Sequence, residues 1–111
     1  MEKNLVLEKN EELATNALKD ALSNRFHLLD FRLFGSKARG GSGTESDIDI
    51  MVVLDKCDPA TRSEVYDIVF ETNLKYDTFI SATIFTREEL EQGPMSESPI
   101  YKIIQKEGIA I

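Results

Sequence analysis

Two hydrophobic periods alternate along the chain, and their order predicts its elements. From Glu8 to Ser23, Leu13, Ala14, Ala17, Leu18, Ala21 and Leu22 recur at three- and four-residue spacing, the stripe of an amphipathic helix. Residues 27–34, HLLDFRLF, are rich in aromatic and aliphatic side chains and run into a Gly-Ser cluster, as a buried strand ending at a turn does. Residues 35–46, GSKARGGSGTES, hold four glycines and three serines in twelve positions and read as a loop.

A second strand is expected over 47–54, where DIDI alternates strictly before the run turns wholly apolar. Asp58 followed by Pro59 suits an N-cap and first helical position, and Val65, Ile68 and Val69 supply the apolar face of a helix ending near Leu74. Residues 76–85, YDTFISATIF, are β-branched and aromatic enough to predict a third strand. Thr86 and Glu89 form a capping-box pattern for a short helix that Gly93-Pro94 stops. Ser98-Pro99 opens a last helix through Ile100, Ile103 and Ile104, with Gly108 placed to end it. No repeat or linker divides this order, so the expectation is one α/β (α+β) domain over residues 1–111. Its three-stranded sheet would be packed by helices on one face and partly open on the other.

Composition narrows the chemistry. Of 111 residues, 41% are hydrophobic and 30% charged, the make-up of a globular domain. The formal charge of -7 leaves no whole-surface basic footprint for nucleic acid or anionic lipid, so any phosphate must be held locally or through a cation. Cys57 is alone, which forbids an intrachain disulfide and favours a reducing compartment. The first residues lack the apolar core of a signal peptide, and no run approaches the ~20 apolar residues of a membrane span. A cytoplasmic protein with no membrane contact and no direct nucleic-acid partner is expected.

The densest chemistry lies between Gly35 and Asp49. Side chains alternate on a strand, so Asp47 and Asp49 share one face while Ile48, Ile50 and Val52 point to the core. Their Cα atoms would be ~6.6 Å apart, close enough for both carboxylates to reach one divalent ion or a pair of ions. Strands disfavour Asp, so two at the start of the most apolar strand call for a reason. The alternative is that Asp47 caps the loop and Asp49 faces solvent. The glycines of the preceding loop allow backbone N–H groups to turn toward phosphate oxygens, Ser36 adds a hydroxyl, and Lys37 and Arg39 make the loop locally positive. The alternative there is a flexible linker. A Walker A loop is excluded, because Gly41 stands where its lysine is required. Asp77, at the head of the third expected strand, would complete a three-carboxylate site if that strand lay beside the second; otherwise it is a strand-edge acid with no ligand role. His27 and the three tyrosines, Tyr66, Tyr76 and Tyr101, read as structural or packing residues, and Glu88, Glu89 and Glu91 as a solvated helix face.

The stretch LFGSKARGGSGTESDIDIMVVLD resembles the signature of the polymerase beta-like nucleotidyltransferases, specifically their minimal single-domain members. Gly35, Ser36, Asp47 and Asp49 match its Gly-Ser, ten residues, Asp-x-Asp pattern, and Ala38-Arg39-Gly40, Ser46 and the ending SPIYKIIQKEGIAI extend the similarity. The resemblance implies a nucleotidyltransferase fold with a small mixed sheet. It also implies Mg²⁺ or Mn²⁺ on Asp47, Asp49 and a third aspartate, for which Asp77 fits by position only. The triphosphate, expected to be ATP, would be held by Gly35 and Ser36 with Lys37, Arg39 and Ser46 nearby. Such proteins move a nucleoside monophosphate to an acceptor hydroxyl, and minimal members resemble antitoxins paired with helical HEPN-type proteins. The resemblance leaves open both catalysis on a partner and non-catalytic neutralisation of a HEPN-type toxin.

Overall fold

In the computed structural model, residues 7–35, 38 and 47–111 are described. The first helix, α1 (Lys9–Arg25), begins where the Glu8 N–H donates to the Glu11 carboxylate at 2.8 Å. Ala14, Leu18 and Leu22, spaced four apart, are fully buried along its inner stripe. The strands β1 (Leu28–Phe34) and β2 (Ile48–Leu54) pair antiparallel, in a register running from Leu28 opposite Leu54 to Phe34 opposite Asp49.

The helix α2 (Pro59–Tyr76) starts as the sequence requires: Asp58 accepts the Thr61 N–H at 2.7 Å and Pro59 takes the first turn. It serves as the crossover between β2 and β3 (Ile80–Thr86), which are parallel neighbours and need such a connection. A short α3 (Arg87–Glu91) follows, opened by the Thr86–Glu89 capping box, then a 3₁₀ turn (Pro94–Glu97), α4 (Pro99–Glu107) and β4 (Ile109–Ala110). The sheet order is β3-β2-β1-β4, a mixed sheet packed by helices.

Alternation divides the core in two. On one side Phe31 and Leu33, Ile48, Ile50, Val52 and Leu54, and Ile80 and Ile84 meet the buried residues of α1 and α2. On the other, Phe34, Met51, Val53 and Phe85 enclose Ile104 of α4, with Leu90, Met95 and Tyr101 packed against them. The second face, expected to be partly open, is thus covered by α4 only at the C-terminal half of β2. The beginning of β2 and β3 stays accessible: Asp49 is half-buried and Ser81 exposed. Each buried aliphatic side chain in these clusters contributes about 1.5–3 kcal/mol.

Several boundaries differ from expectation: α2 runs to Tyr76 rather than Leu74 and β3 begins at Ile80 rather than residue 76, while other ends shift by one or two residues; β4 forms a fourth strand. The first two share one cause. Asp77 takes a left-handed backbone, φ 57° and ψ 54°, and its N–H returns to the Asn73 carbonyl as the C-cap of α2. Among the described residues, no helix is long and apolar enough to cross a membrane.

Candidate active site

The site is built where β1 ends and β2 begins. β1 delivers Phe34 opposite Asp49, and Gly35 follows with φ +78°, a left-handed conformation that side chains rarely adopt. The turn closes with the Ala38 N–H donating to the Gly35 carbonyl at 3.1 Å. Ala38 is buried in the α1/α2 side of the core, which fixes the turn to the sheet. A Cβ placed on Gly35 would collide with the Asp49 carboxylate, so this glycine lets the backbone lie directly against it. Ser36, Lys37, Arg39 and Ser46 lie outside the described residues.

Asp47 immediately precedes β2 and is exposed, whereas Asp49 is the second residue of the strand. Ile48 between them is fully buried on the opposite face, together with Ile50 and Val52. The pair thus shares the accessible face that strand alternation predicts. The two carboxylates are hard oxygen donors of the kind Mg²⁺ and Mn²⁺ prefer, and the absent Gly35 side chain leaves room against one of them. These residues fit a divalent ion.

Asp77 is not on β3. It is exposed at the end of α2, where its carbonyl accepts from Asn10 Nδ2 at 3.2 Å, and its left-handed backbone accounts for an Asp at that position. Two residues later the Phe79 carbonyl accepts the Ile48 N–H at 2.9 Å, so the β3 chain reaches the level of the pair only after Asp77 has passed. Among the described residues, no three Asp, Glu, His or Cys side chains are gathered as a metal site. The neighbours that β3 does set beside the pair are Ser81, opposite Asp49, and Thr83, opposite Met51. The sequence offered a signal for them in the alternation of ISATIFT, but a strand started four residues too early conceals the register.

The remaining reactive group is remote from this chemistry. Cys57 follows β2 at its other end, and burial pushes its thiol up, with Arg62 only partly countering, so it remains protonated near neutrality and is no ready nucleophile. Beside it Asp55 pairs with Arg87 at 2.6 Å, a tie from the exit of β2 to α3.

The sequence model of the family described as nucleotidyltransferase domain matches residues 16–111. The chain is also 36% identical, over 81 residues, to a protein of Methanocaldococcus jannaschii named Putative protein adenylyltransferase MJ0604; the aligned region is 71% of this chain and 77% of that relative.

Proposed function

The chain belongs to the nucleotidyltransferase domain family, and from that premise we propose that it transfers AMP from ATP to a hydroxyl on a partner protein. The observation that carries this reading is Gly35 lying against the Asp49 carboxylate; in this reading the glycine backbone takes phosphate and the carboxylate takes the ion. The name of the jannaschii relative supports the adenylyl group and the protein acceptor.

In the proposed reaction the acceptor hydroxyl gives up its proton to solvent as its oxygen attacks the α-phosphorus, the bond to the oxygen shared with the β-phosphate breaks, and pyrophosphate leaves. Gly35 and Ser36 hold the outer phosphates through backbone and hydroxyl donors, with Lys37, Arg39 and Ser46 adding charge and hydrogen bonds. Asp47 and Asp49 hold Mg²⁺ or Mn²⁺, without which a chain of charge -7 repels a triphosphate. When bound, the ion would neutralise charge on the phosphates. Both aspartates would act by holding the ion to which the triphosphate binds, which positions the nucleotide. Asp77, at the cap of α2, stands outside this assignment.

An apolar surface favours a second role, contact with a helical HEPN-type protein that the chain neutralises by binding. Phe70, Leu74 and Phe79 are 63%, 69% and 67% exposed, and Tyr66 one turn before Phe70 is 44% exposed. Phe70, Leu74 and Phe79 line one surface hollow, and apolar side chains of this size exposed together support reading it as a protein contact.

The test is incubation of the full chain with α-labelled ATP, Mg²⁺ and a co-expressed HEPN-type protein. Label on the partner, absent when EDTA is added, is the expected result. A stable complex that never acquires label would overturn transfer and leave neutralisation by contact.

A further inference from the structure

The positions on β3 that share the face of Asp49 are Ser81, Thr83 and Phe85. Ser81 is directly opposite Asp49 on the parallel ladder, where strands are ~4.8 Å apart, and it is exposed to the same solvent. Thr83, one pair further, is half-buried. The whole strand, ISATIFT, contains no carboxylate. The acid before it, Asp77, lies ahead of the strand at the left-handed C-cap of α2, and no cluster of three metal-ligating side chains forms among the described residues.

We infer that this site holds one divalent ion rather than two, with Asp47 and Asp49 as its charged ligands and the Ser81 hydroxyl where a further carboxylate would complete a two-ion site. The inference rests on reading Asp47 and Asp49 as ion ligands. Two carboxylates balance one dication. A second dication would add two positive charges against neutral hydroxyls, and oxygen sites lose affinity steeply as ligand charge is withdrawn. The site so arranged grips a metal-bound nucleotide but leaves the acceptor hydroxyl without an ion of its own. Binding is retained while transfer is slow.

Mn²⁺ alone, titrated into the full chain and followed by loss of the free-ion paramagnetic resonance signal, tests this. The wild type is expected to bind one ion per chain. Asp77→Asn, which keeps a residue at ease in the left-handed region, is expected to bind it within twofold of wild type. Asp49→Asn is expected to weaken it at least tenfold, and Ser81→Asp to add a second ion or tighten the first at least tenfold. Two ions on the wild type, a loss with Asp77→Asn matching that of Asp49→Asn, or a folded Ser81→Asp that binds as wild type would each overturn the inference while leaving the aspartate pair as ligands. No ion on the wild type at millimolar Mn²⁺ would overturn the pair's role and this inference together.

Discussion

Gly35 lies so close to Asp49 that a Cβ on the glycine would clash with the carboxylate oxygen. The contact joins the end of β1 to the second residue of β2 across a ladder in which Phe34 is already opposite Asp49. Gly35→Ala therefore meets two penalties: the left-handed backbone, worth about 1–2 kcal/mol for a residue with a side chain, and the displacement of Asp49. The variant is expected to melt below wild type and to bind Mg-ATP more weakly, by calorimetry. A variant with unchanged affinity would separate the turn from the ligand.

Asn73 ties the end of α2 to the start of β3. Its amide accepts the Ile80 N–H at 2.8 Å and the Thr78 hydroxyl at 2.9 Å, and donates to the Ile80 carbonyl at 3.2 Å. Thr78 and Ile80 are both buried, so Asn73→Ala strands polar groups and is expected to cost about 1–3 kcal/mol in urea unfolding. Faster hydrogen exchange at the Ile80 amide should accompany it. Equal exchange in both proteins would place the register of β3 in the ladder alone.

Asp58 supplies a pH dependence. Hydrogen bonds from the Thr61 backbone N–H and its side chain hold the Asp58 carboxyl below its usual 3.8, with the backbone bond the larger cause. A depressed folded-state value means that the stabilisation is present above the unfolded value and is lost as pH falls through the folded one. The difference in thermal midpoint between wild type and Asp58→Ala should be constant at neutral pH and shrink below about pH 4. A difference that grew on acidification would contradict the cap.

The exposed apolar surface predicts a separation of folding from association. Phe70→Ser and Phe79→Ser remove side chains that are 63% and 67% exposed, so the thermal midpoint should move little. The double variant is expected to lose its complex with a HEPN-type protein in analytical sizing. Retention of the complex with wild-type affinity would move the contact to another face.

Much of this was legible in the sequence, because the strongest signals were local. The Ser-Pro and Asp-Pro helix starts, the Thr86–Glu89 box and the alternation of Asp47, Ile48, Asp49 and Ile50 all reflect chemistry confined to a few residues, and the structure follows them. What failed depended on geometry between elements. Tyr76 and Thr78 look like strand residues by type, yet Asp77 between them adopts a left-handed backbone that ends the helix, and β3 starts late. With that boundary misplaced, Ser81 opposite Asp49 could not be read. β4, two residues long, is held by pairing with Arg32 and Leu33 rather than by any pattern of its own. Which part of the second face is covered depends on where Ile104 docks, and periodicity does not supply that.

The central claim is that Asp49, beside the Gly35 turn, holds the metal-bound nucleotide. Its most direct test is the thermal midpoint of wild type and Asp49→Asn, each measured against its own ligand-free state so that any direct effect of the substitution on folding cancels. Mg-ATP should raise the wild-type midpoint, in proportion to RT ln(1 + [L]/Kd), and EDTA should abolish the rise. Asp49→Asn should show no rise at the same concentrations. A rise in the variant equal to that of wild type, or a wild-type rise untouched by EDTA, would contradict the account.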